Sequence, residues 1–249
     1  MNEFHSTFSW WAEIWIPAIG AIVIPISIVF FTWFFGASRA EKQKELETLR
    51  NNLNFLISVS LTSINSLNFL SEKIKGIYHK EREALAIQEK EYTFLQDLNI
   101  DEICYGFVFD NIYKNIDLEK YSDCVIYDKE FIKNLTLIKS LMNATDTYIS
   151  ERNKILLSIS DSENPALKSN RYTNFIISDN KNIAQLLYDV CRIALLLKIT
   201  LDTIAKIASL NKSLKLINIE YMQNEIDFLQ EADHVLSIKD KIFSNQGIE

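Results

Sequence analysis

Residues 14–50 read IWIPAIGAIVIPISIVFFTWFFGASRAEKQKELETLR, and the change of character at Gly36-Ala37-Ser38 decides how the chain is built. No charged residue occurs from Ile14 to Ser38, whereas Arg39 opens a run dense in Glu and Lys. As a helix rising ~1.5 Å per residue, Ile14–Phe35 reaches about 33 Å, enough to cross a hydrocarbon core. A soluble core helix carries a polar stripe, yet only Ser27 and Thr32 interrupt the later part of this run. All four tryptophans sit near its ends, Trp10, Trp11 and Trp15 at the entry and Trp33 beside Phe34 and Phe35 at the exit. Aromatic residues take those places when they anchor at the two membrane interfaces. Pro25 falls mid-span and predicts a kink, tolerable in lipid where nearby groups re-satisfy the backbone.

The expectation is therefore a transmembrane helix over 10–36 after a short extracytoplasmic segment, 1–9. A cleaved signal peptide needs a basic leader, but MNEFHSTFSW holds Glu3 and no Lys or Arg. Arg39, Lys42, Lys44 and Arg50 all follow the span. By the positive-inside rule the N-terminus lies outside and the remainder in the cytoplasm, at the inner (plasma) membrane. The span contains no ionisable group, so an ion path through one helix is not expected.

Composition favours helices for the rest. The chain has only 5 Gly and 3 Pro, and Pro165 is the only proline beyond the span. So few turn-formers argue for an all-α fold, one transmembrane helix leading into a bundle of long helices with coiled-coil-like packing. The net charge of −7 opposes phosphate neutralisation, and no nucleic-acid partner is expected. Abundant Ile, Asn and Lys suit an AT-rich bacterial gene. Cys104, Cys124 and Cys191 form no CxxC pair, so neither zinc nor a disulfide framework is indicated.

Beyond Arg39, Leu46, Leu49, Leu53, Leu56, Ser60, Ser63, Leu67, Leu70, Ile74 and Ile77 alternate spacings of three and four. That heptad stripe predicts a membrane-proximal helix over 37–97, with Gly76 as its weak point. Residues 98–160 form a middle helical segment. Within it, CYGFVF and CVIY read equally as strands or short helices, and a regular helix starts near 128. Residues 161–179 read as a loop around Pro165. A long helix and tail occupy 180–249. Its register holds from Ile183 to Ala208 and shifts after Leu210, implying either drift around the neighbours or a break near Asn211.

No catalytic constellation emerges. Glu231-Ala-Asp-His234 has the Glu-x-x-His spacing of di-iron bundles, but those need a second such motif and further inward carboxylates. His79 and Glu83, an i, i+4 pair, fit a surface contact as well as a ligand pair. Clustered glycines for phosphates and a Gly-x-Ser-x-Gly elbow are both absent. The sequence thus points to a non-enzymatic, single-pass membrane protein with no cofactor, metal or small-molecule substrate. Its expected partners are the lipid bilayer and either itself or another membrane-associated or cytoplasmic protein. Leu49, Leu53, Leu56, Leu67 and Leu70 are the candidate packing or assembly residues. A membrane-perturbing effector, for example in bacterial phage defence, in which oligomerised anchors disrupt the bilayer, is the alternative.

Overall fold

The computed structural model describes the backbone of residues 3–91, 106 and 108–245 and, within these, the side chains outside 3–25, 87–91, 165 and 239–245. The described chain is all-α, with no strand. Helix α1 runs Glu3–Glu91, followed by 3-10 helices Ile112–Asn115 and Leu118–Ile126, then α2 (Phe131–Ser160), α3 (Pro165–Leu210) and α4 (Gln223–Asn245). Two compact units result, Met1–Asn51 and Asn52–Glu249.

The first unit holds the N-terminal part of α1, whose backbone stays helical at Pro17, Pro25 and Gly36. The side chains of Trp10, Trp11, Trp15 and Pro25, on which the anchoring expectation partly rests, lie outside the described residues.

The second unit is a bundle built on the heptad stripe. Leu53, Leu56, Ser60, Ser63, Leu67, Leu70 and Ile74 are buried, while Leu49 and Ile77 are half-buried. Burying each Leu or Ile is worth roughly 1.5–3 kcal/mol, which holds α1 against its neighbours. Gly76 does not break the helix. On α2 the inward residues are Phe131, Leu135, Ile138, Met142, Ile149 and Leu156, and on α3 Ile183, Val190, Ala194, Leu197, Leu201 and Ile204. Buried polar pairs mark levels along α1. The Tyr121 hydroxyl donates to the Asn52 carbonyl at 3.3 Å, and Ser60 Oγ lies 2.7 Å from Tyr113 Oη.

Two boundaries differ from expectation. The proposed loop over 161–179 shrinks to a short turn, because Pro165 begins α3. Asn164 caps it, Oδ1 accepting from the Ala166 and Leu167 amides at 3.0 and 3.3 Å. Proline is pre-organised for the first helical position, where its missing N–H is no loss. The long C-terminal helix over 180–249 is two helices. Residues 211–222 leave the helix after the Leu214 amide bonds the Asn211 carbonyl at 2.9 Å and the Ser213 amide bonds Asn211 Oδ1 at 3.2 Å. Of the two readings of CVIY the short helix holds: Cys124–Ile126 belongs to a 3-10 helix, capped by Asp117 accepting from the Glu119 amide. The run CYGFVF, the last residues of the expected 37–97 helix and the end of the tail lie largely or wholly outside the described residues.

Candidate functional site: an uncovered apolar span and a buried ionic junction

Two features stand apart from ordinary bundle packing, one in each unit. In the first unit, Ile26, Ile28, Val29, Phe30, Phe31, Trp33, Phe34 and Phe35 are all exposed, from 54% for Phe34 to 68% for Trp33. Four consecutive exposed apolar residues cover every side of a helix, so no protein face shields this segment. The phenyl rings stack at i, i+4 along the helix, Phe30 on Phe34 at 6.2 Å and Phe31 on Phe35 at 6.0 Å. Among the described residues α1 is the one helix long and apolar enough to cross a membrane. Its later apolar stretch, 53–70, has its leucines turned into the bundle core. The earlier stretch, 26–35, is the one whose large apolar side chains stay exposed. Arg39 is the first charged residue beyond it.

In the second unit, α1, α2 and α3 meet at Arg152. Arg152 Nη2 donates to Glu81 Oε1 at 2.9 Å and Nε donates to Asp179 Oδ2 at 2.8 Å. The side chains of Arg152 and Glu81 are only 1% and 0% exposed. The guanidinium lies 5.4 Å above the Phe175 ring. Tyr148 donates a very short hydrogen bond to Asp179 Oδ1. Below the junction, Ala84, Leu156, Ile159, Tyr172, Phe175 and Ile176 form an apolar cluster that excludes water.

Two carboxylates facing one guanidinium leave an excess negative charge. Burial raises Glu81 to about 7, against the downward pull of Arg152 and with a further push from Asp179. Its Oε2 has no hydrogen-bond partner among the described residues. Burial, the bond to Asp179 and that carboxylate's charge hold the Tyr148 hydroxyl well above its ordinary range. Tyr148 is therefore a fixed donor.

The candidate ligands fall elsewhere. Glu231 Oε2 accepts from Lys75 Nζ at 2.6 Å, while His234 is exposed. His79 and Glu83 are both exposed, and the His79 ring lies edge-on to Tyr78. No group of three His, Cys, Asp or Glu close enough to hold a metal occurs among the described residues. Of the assembly residues, Leu53, Leu56, Leu67 and Leu70 are buried in the chain's own core.

Sequence reasoning passed over the ionic junction, although a signal was present. Arg152 continues the α2 spacing Leu135, Ile138, Met142, Thr145, Ile149, Arg152, Leu156, and Glu81 continues the α1 stripe beyond Ile77. A charge at a core register position has to find a buried partner. No family model, curated protein or solved structure matches this chain.

Proposed function

We propose that the protein is a single-pass membrane protein whose helical bundle acts at the cytoplasmic face by protein–protein contact, with itself or a partner, rather than by catalysis. One observation carries this reading: residues 26–35 expose large apolar side chains on every side of a helix. In water such a surface would aggregate; in a bilayer it is at its most stable. The basic residues that begin at Arg39 support the inner (plasma) membrane with the residues before the span outside. The bundle supports an interaction role, since its buried polar groups serve packing between helices.

Alkaline carbonate extraction and protease protection test the reading. Full-length protein should stay in the membrane pellet, and its bundle should be digested only when the cytoplasmic side is opened to protease. Release into the carbonate supernatant would end the membrane reading. Digestion from the outside would reverse the topology.

A further inference from the structure

The heptad stripe of α1 has a twin. Advancing each buried position by two residues, about 200° around the helix, gives Phe55, Ser58, Thr62, Asn65 and Phe69, again spaced by three and four. This second stripe faces away from the core: Phe55 is 57% and Phe69 61% exposed, Ser58 and Thr62 are exposed, and Asn65 is half-buried. A helix with one heptad stripe packs on one side, and a helix with two has a place for another helix.

Two further observations say what that helix is. The first is charge. Between Arg50 and Glu72 the sequence contains no charged residue, by far the longest such run after the apolar span. Solvated helix faces are ordinarily charged, as α1 itself is from Glu72 to Glu83. A parallel self-facing seam sets each residue against its own copy, so any charge there meets its like. A different partner would tolerate charges that it could complement. The missing charge therefore favours a second copy of this chain. The second observation is hydrogen bonding. Ser58 Oγ donates to the Asn54 carbonyl at 3.1 Å, and Thr62 Oγ1 donates to the Ser58 carbonyl at 2.9 Å. Hydroxyls committed to their own backbone lose little on leaving water, and these small side chains let two backbones approach between the phenylalanines.

We propose that Phe55, Ser58, Thr62, Asn65 and Phe69 form a seam on which a second copy of this chain docks, parallel and in register. The parallel direction rests on the membrane reading above, because copies sharing one bilayer and one topology leave it in the same sense. A seam of about two heptads is small for a free-standing interface, and confinement to a membrane supplies the effective concentration it needs.

Cysteine cross-linking of the full-length protein in its native membranes tests the seam. Cys104 is replaced by alanine, while Cys124 and Cys191 are buried and remain. Single cysteines are placed at Thr62, at Phe69 and, as control, at exposed Ser158 on α2. On oxidation, Thr62→Cys and Phe69→Cys should give disulfide dimers at least about tenfold over Ser158→Cys, as high local concentration requires. Phe55→Glu with Phe69→Glu should abolish the Thr62→Cys dimer with the unfolding temperature unchanged, because both rings are exposed. A Thr62→Cys dimer no stronger than the Ser158→Cys dimer, or one that survives the double Glu change, overturns the proposal. Carbonate extraction of the same membranes scores the anchor separately. A pelleted protein without the dimer refutes the seam alone, and a released protein that still cross-links at both 62 and 69 refutes the anchor and leaves the parallel seam.

Discussion

Replacing Arg152 by methionine keeps an unbranched apolar stem and removes the cation shared by two buried carboxylates. The lost interactions are the donations from Nη2 to Glu81 at 2.9 Å and from Nε to Asp179 at 2.8 Å, and the stacking on Phe175. What remains is a pair of carboxyl groups that are 0% and 5% exposed. Removing one partner of a buried pair leaves charge without compensation, at a cost of about 3–5 kcal/mol. For a unit near 200 residues, each kcal/mol moves the unfolding midpoint by roughly 2–4 °C, so Arg152→Met should lower it by about 6–20 °C at pH 8. Glu81 already tends toward its neutral form through burial, and losing Arg152 pushes it further that way. The loss should therefore shrink at pH 5.5, where Glu81 carries a proton and one fewer carboxylate needs the missing cation. Combining Arg152→Met with Glu81→Leu and Asp179→Leu should recover most of the stability, because apolar replacements leave nothing unpaired. Thermal unfolding of the purified full chain, followed by helical circular dichroism at both pH values, is the assay. An Arg152→Met midpoint within about 2 °C of the wild type at pH 8 would falsify the claim that this junction is buried and closed.

Further outcomes follow from individual contacts. With Glu81 near 7 in the fold and 4.5 as its ordinary value, its stabilising contribution is full below about pH 4.5 and is lost as pH rises through about 7. The change amounts to about 3 kcal/mol, so Glu81→Gln should flatten the wild-type decline over that window and be at least as stable at pH 8; an unchanged pH profile would exclude Glu81 as its source. Tyr113→Phe removes the buried partner of Ser60. It should cost about 1–2 kcal/mol by denaturant titration, and much less when Ser60 is already alanine. Asn164→Ala deletes the cap of α3. A loss of about 1 kcal/mol is expected, with Asn164→Ser recovering most of it, and no loss would mean that the turn before Pro165 is held by other contacts.

The part of the fold legible in sequence is the part governed by periodicity. Along the stripe from Leu46 to Ile77, the positions from Leu53 to Ile74 are buried, including the two serines, while Leu46, Leu49 and Ile77 at its ends are half-buried. The misreadings arose where residue type was weighed without position. Cap-type residues and Pro165 suggested a loop, but an asparagine followed by proline is also how a helix starts. At Asn211 the register shift did mark a break, because the asparagine side chain bonds the Ser213 amide and turns the chain out of the helix. Arg152 and Glu81 were passed over, despite their core register positions, because a charged residue was assumed to face water; both they and Asp179 are buried. The 3-10 helices were legible only as one of two alternatives, because a short tight helix has neither a heptad nor an alternating signature.

These polar levels do for the bundle what its apolar stripe cannot. A heptad stripe of Leu and Ile is nearly the same after a slip of seven residues, so apolar burial alone leaves the register of α1 poorly specified. The polar groups are not repeated at that interval. A slip by one heptad would set Ile74 or Gln88 in place of Glu81, leaving the buried Arg152 with one carboxylate fewer. It would also set Leu53 or Leu67 in place of Ser60, depriving the Tyr113 hydroxyl of its buried partner. Each mismatch leaves a polar group less well satisfied in the core, at roughly 1–3 kcal/mol or more for a charged one. Two such levels set along one helix favour a single register, while the apolar positions between them provide the bulk of the stability. The outward stripe from Phe55 to Phe69 then keeps a fixed orientation relative to the core, as a surface that must meet its own copy in register requires.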